Sequence, residues 1–227
     1  MKRGFSILAI VTAALLCFAL YEALIVAPTE QTMGNVQRIF YYHVPSAWTA
    51  FILFAINFVA SIVYLIRRTM KADILAQTSA EVGVVFCTVV LVTGPIWARP
   101  VWGIWWTWDM RLTLTLVLWL IYVSYLVLRR FSTSSKTAVI AAVLAIFGAL
   151  DVPLVYFSIW FFRTQHPSPV IGDGGSLDPR MAHVLLINWA AFSCLAWLLC
   201  WTRYRLEYLK REVEESQALE ALLEEPR

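Results

Sequence analysis

Three histidines, His43, His166 and His183, and a dense run of indoles hold the residues best suited to chemistry in this sequence. The indoles crowd into residues 94–113, GPIWARPVWGIWWTWDMRLT, where Trp97, Trp102, Trp105, Trp106 and Trp108 are interspersed with Arg99, Asp109 and Arg111. Tryptophan offers a large, flat, amphipathic surface with one N–H donor, and it favours ring-on-ring contact. Several indoles on a short shelf suit a flat apolar guest, and imidazole nitrogens suit a metal that such a guest carries. The competing reading is an aromatic belt, since Trp and Tyr gather at membrane–water boundaries, although a belt spreads its indoles over many helix ends.

Other chemistries are absent. The four cysteines, Cys17, Cys87, Cys194 and Cys200, lie inside apolar runs and form no C-x-x-C pair, which excludes a thioredoxin-like redox pair and a zinc knuckle. Without C-x-x-C-H the chain is not a c-type cytochrome, and without a G-x-x-x-x-G-K-[ST] loop any ATP-driven work falls to a partner.

The elements that must position these residues are membrane spans. Of 227 residues, 60% are hydrophobic and only 15% charged, and mean hydropathy is +0.70. Apolar runs of about 20 residues recur, each long enough to cross a bilayer as a helix. We read an all-α polytopic protein with six spans, at roughly 5–26, 46–66, 81–98, 112–128, 138–161 and 182–201. Lys2 and Arg3 precede the first run like a signal peptide, but the run is too long and lacks an A-x-A site, so we read it as a retained span. Pro95, Pro100 and Gly103 argue against a single unbroken helix through the tryptophan stretch.

Basic residues orient the bundle. With the N-terminus inside, the inner segments hold Lys2, Arg3, Arg67, Arg68, Lys71, Arg129, Arg130, Lys136, Arg203, Arg205, Lys210, Arg211 and Arg227, against Arg38, Arg99, Arg111, Arg163 and Arg180 outside. That bias puts both termini in the cytoplasm and the tryptophan shelf on the outer face. It divides the chain into a six-helix domain, 1–201, and a charged cytoplasmic tail, 202–227, read as a solvated helix with loosely periodic leucines.

Under this topology all three histidines fall at the outer face or at an outer helix end. Pro45 marks the start of the second helix and puts His43 at its mouth, while His183 opens the sixth span. Haem fits the combination, because its iron takes axial imidazole and its macrocycle needs apolar cover. Its propionates call for cations, and Arg38, Arg99, Arg111 and Arg163 are on the correct side. Two histidines suffice for bis-imidazole ligation, and periodicity does not choose between His166 and His183. Asp109, just before an apolar run, has the local work of a helix N-cap, with pairing to Arg111 or orientation of Trp108 as alternatives. Asp151 and Glu22 lie in spans, where ionisable groups are costly and read as functional. A proton-coupled transporter would use them, but Pro153 frees backbone groups that Asp151 can satisfy. The turn-rich string 172–179, GDGGSLDP, lacks EF-hand spacing and reads as a flexible turn. Asn57 and Asn188, mid-span, are expected to bond between helices.

The ordered string W-G-x-W-W-x-W-D-x-R-L-T at Trp102–Thr113 resembles the WWD signature of haem-handling proteins of cytochrome c maturation. With FYYHVPSAW at 40–48 and WFFRTQHP at 160–167, the chain resembles the haem exporter protein C family, CcmC, over nearly its whole length. The resemblance implies two axial ligands, matching His43 in its H-V-P string and His166 closing a W-W-x-T-L-H-like string, with His183 the runner-up. Phe161 and Gln165 depart from that second string. It further implies that Trp102, Trp105, Trp106, Trp108, Asp109 and Arg111 contact or support a transiently held b-type haem on the periplasmic side of the cytoplasmic membrane. The implied partners are a periplasmic haem chaperone, a small single-span subunit, ATP-binding-cassette transporter subunits and membrane lipid, without nucleic acid. No catalytic turnover by this chain is implied. A b-type electron-transfer subunit is the rival reading; it predicts histidines deep in facing helices, whereas these sit near helix mouths.

Overall fold

The structure is a computed structural model, described here for residues 2–132, 134–167 and 177–224. It is all-α, with no strand among the described residues beyond a single bridge between Glu30 and Gly34. Six segments are long and apolar enough to cross a membrane. In chain order the helices are α1 (Lys2–Tyr21), α2 (Phe40–Arg67), α3 (Met70–Trp102), α4 (Met110–Phe131), α5 (Thr137–Ala149), α6 (Asp151–Phe161) and α7 (Pro179–Glu224). A π turn, Glu22–Val26, extends α1, and a 3₁₀ turn, Asn35–Ile39, leads into α2. The glycine-rich turn at 172–176 lies outside the described residues.

Two breaks set the geometry of the site. Helix α3 runs through Pro95 and Pro100 and ends only at Gly103, whose φ of 77° is left-handed and whose N–H bonds Arg99 C=O at 3.0 Å. Neither proline ends the helix, a tolerance membrane helices have, whereas a left-handed backbone cannot continue one. The expected interruption of the tryptophan stretch therefore comes from the glycine. The fifth span divides at Leu150 into α5 and α6. Pro153 has no N–H to offer the carbonyl four residues back, that of Ala149, where α5 stops.

Helix α2 likewise starts earlier than expected, at Phe40, so His43 lies in its opening turn and Pro45 just behind it. Helix α7 continues without a break from the sixth span into the charged tail, so the change at 201–202 is one of composition alone.

The bundle is tied by close approach and by few polar bonds. A Cβ at Gly83 would come within 2.7 Å of Phe54, so glycine is what lets α3 lie against α2. Phe54 in turn stacks on Tyr122 of α4, ring centres 3.9 Å apart, at the centre of a core that includes Leu118, Tyr125 and Val155. As expected, the span asparagines bond between helices: Asn57 Nδ2 donates to Ala76 C=O at 2.7 Å, and Asn188 Nδ2 to Ala19 C=O at 3.3 Å. At the end that holds α7's tail, Asp73 accepts two 2.7 Å bonds from Arg129 and another of 2.7 Å from Arg211 of α7. Arg203 pairs with Glu81 in the same region. Because the six long helical segments alternate in direction, the linkers 22–39, 103–109 and, of the third, the described residues 162–167 and 177–178 share the opposite end.

Candidate haem site

A cavity of about 1050 Å³ opens among those three linkers. Helix α2 contributes Phe40, His43, Ala47 and Phe51; α3 contributes Val90, Gly94, Trp97 and Trp102; α4 contributes Arg111 and Leu112; α6 contributes Val155 and Tyr156. The linkers close it with Pro28–Met33, Trp106 and Gln165–Pro167. The walls are mostly apolar, with a few convergent polar groups, as befits a site for a flat hydrophobic ligand.

His43 and His166 meet inside it, ring centroids 6.5 Å apart and planes inclined by 34°. An imidazole nitrogen sits about 2 Å from a bound metal and about 1 Å from its own ring centre, so two axial rings on one metal are roughly 6 Å apart. The observed spacing fits two imidazoles on one iron.

Hydrogen bonds select the free nitrogen on each ring. His43 is buried, and its Nδ1 lies 2.8 Å from Thr93 Oγ1. His166 is half-buried, and its Nδ1 lies 2.9 Å from the Pro167 carbonyl, which can only accept. Nδ1 of His166 therefore carries the proton and Nε2 the lone pair, the arrangement in which a carbonyl orients a metal-binding imidazole. The Thr164 hydroxyl also accepts from the His166 backbone N–H at 3.1 Å, shaping the turn that delivers the ring. Apolar surroundings first, and the Arg111 guanidinium second, lower the His166 imidazole to about 4, so the ring is neutral at physiological pH.

The arginines separate by what they touch. Arg38 donates to Ala23 C=O at 2.7 Å and Ala27 C=O at 3.4 Å, closing the π turn. Arg99 caps the Gly103 carbonyl, Arg163 is exposed, and Arg180 pairs with Asp178 at 3.0 Å. Arg111 alone among these five lines the cavity with a buried guanidinium nitrogen, Nη1, that lacks a hydrogen-bond partner. The indole N–H groups of Trp97 and Trp106 are likewise buried without partners at the cavity wall. A ligand carboxylate would satisfy such donors.

The tryptophans also divide. Trp97, Trp102 and Trp106 line the cavity, and Trp97 meets His43 edge-on, ring centroids 5.8 Å apart. Trp105 and Trp108 are 59% and 76% exposed and do not line it. Asp109 takes the N-cap of α4, accepting from the Leu112 N–H at 3.2 Å and from the Thr107 hydroxyl at 2.7 Å. His183 is exposed and lines a separate pocket of about 300 Å³ with Glu22. Asp151 begins α6, buried, and lines neither of these two cavities.

Sequence reading did not mark Thr93, or Trp97 as a wall residue. Their signal is helical spacing: Thr93 and Trp97 lie four apart and Gly94 beside them, on the face of α3 that meets His43.

A sequence profile described as Heme exporter protein C matches residues 1–219. Among curated proteins, the chain is 36% identical to the Heme exporter protein C of Bradyrhizobium diazoefficiens, over 94% of this chain and 82% of that one. It is 34% identical to the Heme exporter protein C of Escherichia coli K12, over 74% of this chain and 68% of that one. It is also 32% identical to a putative cytochrome c biosynthesis ccmC-like mitochondrial protein of Marchantia polymorpha, over 78% and 76%. With the match spanning nearly the whole chain and every helix that shapes the cavity, this protein belongs to the haem exporter protein C family.

Proposed function

We propose that this chain holds haem as cargo at the tryptophan-rich end of its bundle and passes it on for the building of c-type cytochromes. The observation that carries the reading is the pair of imidazoles, His43 and His166, 6.5 Å apart across one cavity. His43 and His166 bind the iron through Nε2. Trp97, Trp102 and Trp106 cover the macrocycle, and Arg111, aided by the Trp106 N–H, takes a propionate. Asp109 acts indirectly, by starting α4 so that Arg111, in its first turn, lines the cavity.

Release is built into the same geometry. One ligand, His43, sits on a buried helix turn, whereas His166 rides a linker and is only half-buried. The linker ligand is the one positioned to let go first. Exposed Ile104, Trp105 and Trp108 form an apolar ledge beside the cavity, suited to a receiving haem protein.

The basic-residue bias puts this end on the periplasmic face of the cytoplasmic membrane and both termini inside. The receiver is then a periplasmic haem chaperone. A small single-span subunit and ATP-binding-cassette subunits complete the assembly and supply the nucleotide chemistry for which this chain has no loop. The chain itself acts as a transfer protein, not as an enzyme. The test is the visible spectrum of detergent-purified protein. A Soret band is expected in the parent and is lost or displaced in His43→Ala and in His166→Ala; equal spectra across the set would remove the assignment.

A further inference from the structure

We propose that Thr93 is a positioning residue that fixes the tautomer of His43 and so presents Nε2, not Nδ1, to the cavity; its bearing on haem rests on the ligand reading above. The argument follows the single hydroxyl hydrogen. Thr93 Oγ1 lies 2.7 Å from the Val89 carbonyl oxygen, four residues back in α3. Two oxygens that close need a hydrogen between them, and only the hydroxyl has one to give. That hydrogen is therefore spent within the helix. The remaining polar neighbours of Oγ1 are the Val90 carbonyl oxygen at 3.4 Å, which can only accept, and His43 Nδ1 at 2.8 Å, so the His43 contact uses an oxygen lone pair and a proton on Nδ1. A neutral imidazole with its proton on Nδ1 has its lone pair on Nε2.

The surroundings hold the ring in that pose. His43 lies in the first turn of α2, Trp97 presses on it edge-on at 72°, and its Cε1 lies over Gly94, where a Cβ would sit 3.5 Å away. Thr93, Gly94 and Trp97 thus form one helix face that grips one imidazole. The arrangement parallels that of His166, where the Pro167 carbonyl plays the accepting role. Both rings offer the same nitrogen to the same space, although one is locked by a side chain and the other by backbone. A threonine hydroxyl is a weaker acceptor than a carboxylate, so it orients the ring without making it a strongly basic ligand, which suits cargo that must leave.

The test uses the full-length protein in detergent, with the histidine rings ¹⁵N-labelled and the His43 signals assigned by their loss in His43→Ala. In the haem-free parent, His43 is expected to carry its proton on Nδ1. Thr93→Val keeps the branched shape and removes the acceptor; the ring is expected to populate the Nε2–H form, and Thr93→Ser is expected to restore the parent pattern. In parallel, haemin titration followed at the Soret band is expected to show affinity about 10- to 100-fold lower for Thr93→Val, recovered in Thr93→Ser. An unchanged His43 tautomer in Thr93→Val, or an Nε2–H ring in the parent, overturns the proposal. A tautomer shift without any loss of haem affinity overturns its bearing on haem. The expected tautomers combined with haem binding indifferent to His43→Ala would instead sink the ligand reading, while supporting Thr93's hold on the ring.

Discussion

Trp106 and Trp108 pack edge to face, ring centroids 5.8 Å apart and planes at 76°, yet only Trp106 lines the cavity. The short link between α3 and α4 turns one indole inward and leaves its neighbour in the open. A string that looks uniform in sequence therefore has two faces with two jobs.

That division separates binding from hand-over. Trp106→Ala is expected to lower haem affinity about tenfold, a loss of about 1.4 kcal/mol. Trp108→Ala is expected to leave affinity within about twofold and to slow transfer to an acceptor haem protein. Haemin titration and a transfer time course measure the two quantities separately, and equal effects on affinity would contradict the division.

Arg111 is expected to matter through its charge. Arg111→Gln keeps much of the side chain but removes the propionate's partner, and should weaken haem binding by about tenfold or more. Arg99→Gln, at a side chain that bonds the Gly103 carbonyl and does not line the cavity, is the control and should bind as the parent does. A dimethyl-ester haem, with no carboxylates, should bind parent and Arg111→Gln alike.

The haem-free protein should have a pH dependence traceable to His166. Its imidazole sits near 4 in the fold, because of apolar surroundings and Arg111, and near 6.5 in an unfolded chain. Between those values the unfolded state binds more protons, so stability falls as pH drops from about 6.5 towards about 4. Thermal unfolding of the haem-free protein should show this slope, and His166→Ala should reduce it. The slope should be modest, since the ring is only half-buried.

The opposite end of the bundle should affect stability and leave the cavity alone. Asp73 is buried between Arg129 and Arg211, and Asp73→Ala takes the carboxylate from buried Arg129 while Arg211 keeps Glu207. A loss of about 3 kcal/mol is expected, the cost of breaking a buried pair from one side. The haem spectrum of the folded variant should be unchanged.

Orientation is open to a direct check. A tag on either terminus is expected to be shielded from the periplasm in intact cells, and a cysteine placed at Trp105 is expected to be labelled from outside. The reverse pattern would overturn the assigned sidedness.

Much of the architecture was legible in the residues. Six apolar runs of spanning length announce six crossings, because a bilayer demands long helices with internally satisfied backbones. Asp109 announces its cap because an N-cap is a local interaction between residues three apart. The tryptophan string and the histidine-bearing strings, by resemblance, named the family that the whole-chain match shows.

Helix phase and long-range proximity were not legible. Lipid and protein interior are about equally apolar, so a span's pattern says little about which face turns to a neighbour and which to the membrane. Composition alone could not single out Arg111 among the five arginines Arg38, Arg99, Arg111, Arg163 and Arg180, or separate Trp106 from Trp108. Nor could it pair Thr93 with His43 across fifty residues of sequence. The tertiary structure decided these matters through two breaks: Gly103 ends α3 and turns the indoles, and Pro153 divides the fifth span whose second half leads to His166. What the sequence by itself determined is six crossings with indoles and imidazoles at their ends. What only the fold decided is which of those rings face one another across a shared space, because that depends on distances between helices that no local pattern encodes.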